Sequence, residues 1–397
     1  MKLNGVRREP RPSSNRAART LWGVLAAGAL SMLVVVSLCL ARGGATPASK
    51  SATASVPISV NLPGGAVPRV GGFNAVACTS PAMCLAVGAG SSGLGAISRS
   101  SDSGATWSEE ALPMGTPVLT GVSCPSPEDC VAVGPGESLT STDGGSSWIT
   151  HELADPSDLL LAVVCPTLSN CVAVGTRTDT VGGIASVALS SADGGVTWSE
   201  EAVPAPDEGG LGGVACATPT FCVAVGSAVA VSDNGGETWS PRAVNGGIEG
   251  ALRAVTCPTP TTCVAVGPNP AGMSDPSASV TGVITTDTGQ TFSDVALPPG
   301  SSSVAAVSCV GATSCTAVGS PLPGETSAPS FVSSDLGHTW SSGPGVAAMG
   351  GVAALACPGE TSCVAVGHTS SSMAAASTSN RSSWQVSTPA ASPGPKS

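Results

Sequence analysis

Cys130-Val131-Ala132-Val133-Gly134 is one of several copies of a single pattern. The same Cys-Val-Ala-Val-Gly string stands at 171–175, 222–226, 263–267 and 363–367; Leu85 and Thr316 replace the first Val in the copies at 84–88 and 315–319. Six positions before the leading cysteine of each copy stands another cysteine. The pairs are Cys78 with Cys84, Cys124 with Cys130, Cys165 with Cys171, Cys216 with Cys222, Cys257 with Cys263, Cys309 with Cys315 and Cys357 with Cys363. The first cysteines are 46, 41, 51, 41, 52 and 48 residues apart. That spacing matches a four-stranded propeller blade of about 40–50 residues. Helical repeats overlap this period, but Val, Thr, Ser and Gly dominate and no sustained 3.6-residue apolar period follows Ala41. The expected fold is therefore all-β: a seven-bladed β-propeller of four-stranded blades, preceded by an N-terminal transmembrane or signal helix.

The second repeat shows how one blade is built. Residues 119–124 read as an inner strand, 125–129 as a Pro/Ser/Asp turn, 130–134 as a buried strand, and 138–142 and 148–153 as the outer pair. The cysteines flank the first turn, so each pair can bridge one hairpin. Metal ligation is disfavoured: the spacing is not that of zinc ligands, and the chain has only three histidines. Seven even pairs behind an export signal point to disulfides. A loop this short contributes roughly 2 kcal/mol in the chain-entropy model.

Composition narrows the partners. Seven of the 15 basic residues precede Gly43, with one acid, Glu9; the remainder carries 8 basic and 25 acidic residues, a net of −17 (8 − 25). So acidic a body lacks the Lys/Arg cluster that nucleic acid requires. Residues 1–20 read as a cytoplasmic basic segment and 21–41 as a transmembrane anchor or signal sequence. Residues 42–56 read as a flexible linker, 57–389 as the propeller and 390–397 as a disordered tail. The expected location is the cell membrane, single-pass with an extracytoplasmic propeller, or secretion if the leader is cleaved. Cys39, the odd cysteine, falls in the apolar run. Two segments, 57–63 and 384–387, compete for the outer edge of the last blade, where the ring closes.

A second motif, Ser/Thr-x-Asp-x-Gly-x-Thr/Ser-Trp/Phe, follows each cysteine pair at 100–107, 141–148, 191–198, 232–239, 285–292 and 333–340. Asn234 replaces the Asp in the fourth copy, and a worn copy at 377–384 has Ser379 and Arg381 in place of Asp and Gly. Asp accepts from nearby backbone N–H groups, Gly permits positive φ, and the aromatic packs on its blade. Over residues 71–389 these motifs resemble the Asp-box, or BNR repeat, of sialidase-like β-propellers. The resemblance implies that the box joins the third and fourth strands, is structural, and lies away from the functional face. It implies no sialidase activity, because sialidases use a tyrosine nucleophile and an arginine triad and this chain has no tyrosine. Photosystem-assembly propellers share the repeat style, but their basic patch has no counterpart here.

If hairpins and boxes share one face, the remaining connections form the other. The long ones, at 267–281 and 319–330, are Pro/Gly/Ser-rich, and long loops on a rigid scaffold carry function. Candidate ligand-binding residues are Arg177, Asp179, Asp207, Glu208, Asp275, Glu325 and His368, with Asp155 and Asp158 on the same face. No catalytic constellation, metal site or cofactor is expected. The expected role is non-enzymatic binding or scaffolding at the cell envelope, with an envelope protein or glycan as partner. The alternative is a glycoside hydrolase using two loop carboxylates.

Overall fold

The computed structural model describes residues 71–388 apart from short stretches at 179–181, 204–208, 246–250, 269–279, 301–302, 312, 323, 348, 370–372 and 379–381. The basic segment, apolar run, linker, segment 57–63 and tail lie outside the described residues. Among the described residues no helix is long and apolar enough to cross a membrane.

Each repeat folds as an antiparallel meander. The second runs through Gly121–Ser123, Cys130–Val133, Glu137–Ser141 and Ile149–Glu152, hydrogen-bonded in that order. The seven-blade expectation needs correction: the propeller has six four-stranded blades. The fifth cysteine repeat forms a five-stranded mixed sheet instead. There Val244–Asn245, chain left over from the fourth blade, pairs parallel with Phe292–Leu297 and covers its open edge. The sixth repeat carries an added two-stranded ladder between Ser327–Ala328 and Val346–Ala347.

The cysteine string explains how the sheets stack. Alternate residues of a strand face opposite sides. In the second blade, Val131 and Val133 pack toward the third, against Cys171 and Ala173. Cys130 and Ala132 turn back toward Leu85 and Val87 of the first. A branched face thus meets a small face at such junctions, which lets sheets approach without large aromatics. The same rule closes the ring, where Val364 and Val366 of the last blade meet Cys84 and Ala86 of the first. Gln385–Ser387 supplies the last blade's outer strand, and Ser387 Oγ donates to Gly104 O at 2.9 Å.

The glycine ending the string has its own cause. The inner strand bulges opposite it, so a Cβ on Gly88, Gly175, Gly226 or Gly367 would lie 2.0–2.1 Å from the inner strand's carbonyl oxygen. No side chain fits there.

Candidate functional site

Two faces are distinguished by their turns. All seven expected disulfides are formed: Cys78 is bonded to Cys84, Cys124 to Cys130, Cys165 to Cys171, Cys216 to Cys222, Cys257 to Cys263, Cys309 to Cys315, and Cys357 to Cys363. Their Cα–Cα distances are 4.0–4.1 Å. The second cysteine of each pair, which opens the buried strand, is itself buried: Cys84, Cys130, Cys171, Cys222, Cys263, Cys315 and Cys363. The two partners face each other across the ladder, as Cys78 does Cys84, Cys216 does Cys222 and Cys309 does Cys315. The Ser-x-Asp turns sit on the same face as these hairpins. Gly144 N donates to Glu128 O, Gly194 N to Ser169 O and Gly235 N to Thr220 O, at 2.7–2.8 Å. Ser103, Thr288 and Leu336 make the equivalent bond to their own hairpins.

Within the turn, the acid is held by its own neighbours. Asp102 Oδ1 accepts from Ser100 Oγ and Thr106 N, both at 2.8 Å, and Oδ2 accepts from Thr106 Oγ1 at 2.6 Å. Trp107 Nε1 closes the turn on Gly104 O at 3.0 Å. The same bonds hold Asp143, Asp287 and Asp335 down to about 2, led by the Ser147, Thr291 and Thr339 hydroxyls respectively. These carboxylates brace turns, each accepting its bonds from within its own turn.

The opposite, loop face carries the charged candidates. Arg177, at the end of Cys171–Thr178, donates from Nε to Asp158 Oδ1 at 2.6 Å and from Nη1 to Glu200 Oε1 at 3.0 Å. Asp155 Oδ2 lies 3.1 Å from the same Nε. Asp158 is 2 % exposed; burial pushes its carboxyl up, opposed by the Arg177 contact. The bonds to Asp158 and Glu200 push the guanidinium up. One cation thus organises three anions.

Of the other expected residues, Glu325 is exposed in a turn of the sixth repeat, its N–H on Leu322 O at 3.0 Å. His368 ends Ser362–His368 in the last blade, paired with Gly351. Arg177 and His368 therefore stand on different sheets, and Glu325 lies in a turn of a third repeat. Asp179, Asp207, Glu208 and Asp275 lie outside the described residues.

Three features escaped the sequence reading. Glu200 completes the Arg177 network from an outer strand. Glu137 and Glu152 face each other across one ladder, and burial, then Glu152's charge, push Glu137 up. A cleft of about 650 Å³ opens on the sixth repeat's outer strand beside Trp340, Ser342 and Ser382, with no charged side chain in its lining. Among the described residues no group of His, Cys, Asp and Glu is arranged to hold a metal.

No family model matches the sequence, and no curated protein does either. Solved structures do share the fold. YCF48 from Cyanidioschyzon merolae is similar at 14 % identity and a TM-score of 0.53, over 79 % of this chain and 97 % of that one. A structure of YCF48 bound to D1 peptide gives 15 % and 0.51, over 79 % and 94 %. The GH74 xyloglucanase from Xanthomonas campestris gives 14 % and 0.52, over 82 % of this chain and 55 % of that one. At such identities the likeness establishes a β-propeller and nothing of its chemistry.

Proposed function

We propose that this protein is a non-enzymatic binding or scaffold propeller on the extracytoplasmic side of the cell envelope. Its loop face holds a protein or glycan partner. The observation that carries this reading is the division of faces: staples and braced turns occupy one, leaving the charged, variable connections on the other. Seven disulfides fit an oxidising compartment, and the apolar run at 21–41 would supply export or anchoring. The turn bonding supports reading the second motif as an Asp-box of sialidase-like propellers, without their activity. YCF48's capture of a D1 peptide supports peptide recognition by this architecture.

The test is cross-linking of the tagged chain in intact cells of its host. One reproducible partner, lost when loops 267–281 and 319–330 are trimmed, is the expected result. No specific capture, or capture indifferent to trimming, contradicts it.

The second reading, a glycoside hydrolase, is favoured by one observation: the pairing of Glu137 with Glu152. Cross-strand partners put Cβ atoms about 4.5–5.5 Å apart, which brings two carboxyl groups to one place on the ladder, as glycoside hydrolysis requires. Turnover of xyloglucan oligosaccharides, lost in both Glu137→Gln and Glu152→Gln, would replace the binding reading.

A further inference from the structure

The Ser-x-Asp turn also fills the junctions between blades. Its glycine rests on the residue after the string's cysteine in the blade before. A Cβ on Gly145 would lie 2.3 Å from the Leu85 side chain, and one on Gly195, Gly236 or Gly337 would lie 2.6–2.8 Å from Val131, Val172 or Val264. Where the first and second repeats meet, beside Leu85 and Gly144, the remaining space is about 10 Å³, the room one water needs.

One junction departs from this rule on both sides. In the sixth repeat Thr316 stands where the other strings carry valine or leucine, and in the worn turn of the last blade Arg381 stands where the other turns carry glycine. At this junction lies the cleft of about 650 Å³, which runs from the sixth repeat's turn and outer strand to Ser382 of the last blade. Ligand pockets span about 300–1,000 Å³.

The lining selects a class of ligand. Trp340 is half-buried, its indole N–H donating to Gly337 O at 2.9 Å, so the ring is fixed in place. With it stand the hydroxyls of Ser314, Ser334, Ser341, Ser342 and Ser382, and no charged side chain. A hydroxyl both donates and accepts, and an aromatic ring offers an apolar face. The outer strand adds backbone groups. Ser341–Ser342 ends its sheet, paired with Ser330–Ser333, and its far side is uncovered among the described residues; in the fifth sheet Val244–Asn245 covers the equivalent edge. The chain then turns away, with Gly343 N donating to Ser330 O at 2.8 Å and Ser330 Oγ to Pro344 O at 2.7 Å. An edge this short is a poor rail for an added peptide strand. A charged ligand finds no counter-charge in the cleft, and the acidic body repels anions.

We propose that this cleft binds a neutral saccharide, with one sugar ring on Trp340 and its hydroxyls exchanging hydrogen bonds with the serines and the strand edge. Ser314 lies in the Cys309–Cys315 hairpin, so the site belongs to the hairpin face and does not rest on the loop-face partner.

The test is a titration of the full-length chain with cellohexaose, maltohexaose and N-acetylchitohexaose, read by NMR on the Trp340 Nε1–H resonance. The expected result is a saturable shift with at least one of the three, not shared by the indole of Trp148 in the second blade. Ser342→Asp changes an exposed residue and places a charge in the cleft. That variant melts with the parent, and its calorimetric affinity for the saccharide falls by roughly tenfold or more, because the new carboxylate must lose water to a neutral ligand. No saturable shift with any of the three saccharides, or an affinity unchanged in Ser342→Asp, overturns the proposal. So does saturable binding of an acetylated, amidated octapeptide of alternating Ser and Val with no response to the saccharides.

Discussion

The hairpin face and the loop face are built from the same meanders, yet they use their polar groups differently. On the hairpin face the Asp of the turn motif is closed upon its own turn, and the turn is tied to a disulfide hairpin by a backbone bond. On the loop face the charges reach across strands, as Arg177 does to Asp158 and Glu200. The difference teaches that repetition serves stability on one side and frees the other to vary.

Reduction should break this contrast most strongly. Each staple contributes roughly 2 kcal/mol in the chain-entropy model, so excess reductant should lower the melting temperature by many degrees. An unchanged melt would show that the hairpin face does not carry the stability assigned to it.

Glycine substitutions sharpen the comparison. Gly145 on the hairpin face has φ +85°, and a Cβ there would lie 2.3 Å from Leu85 Cδ1 of the preceding blade. Gly182 on the loop face has φ +88° with nothing within 4 Å. Gly182→Ala should cost about 1 kcal/mol for its backbone alone, and Gly145→Ala about 1–2 kcal/mol more for the crowding. Equal costs in denaturant melts would contradict the inter-blade contact.

Acid should act on the hairpin face next. Asp143, Asp287 and Asp335 are held at about 2, below the ordinary 3.8. A depressed carboxyl adds stability above its unfolded pKa, lost as pH falls from about 4 toward 2. Asn234, whose Oδ1 accepts from Thr238 N at 3.0 Å, has no such dependence. Asn234→Asp should therefore raise stability at pH 7 and steepen the loss below pH 4 in thermal melts.

The smallest effect belongs to Glu137, whose carboxyl is pushed above 4.5. Its ionised form is penalised in the fold, so that cost is present above its folded pKa and vanishes as pH falls through it. Glu137→Gln should raise the melting temperature slightly at pH 7 and not at pH 4.

The cysteine string and the Ser-x-Asp turn made the blade legible, because both are local and repeat with fixed spacing. The strands of the second repeat lie within about two residues of their sequence positions. The disulfides were equally legible, since a six-residue step such as that from Cys257 to Cys263 or from Cys357 to Cys363 spans a single hairpin turn. The fifth sheet's extra strand was not legible: Val244–Asn245 is two residues long and pairs with Phe292 and Ser293, in the next repeat. Arg177 was readable as a loop-face residue, whereas its partner Glu200 follows Trp198 as an ordinary outer-strand acid.

The division of faces is tested most directly by a photo-reactive amino acid placed singly at Asp155 or Glu325 on the loop face, and at Asn170 or Glu237 on the hairpin face, in intact host cells. The same partner is expected from both loop-face positions and from neither hairpin-face position. Capture from the hairpin face, with none from the loop face, would contradict it.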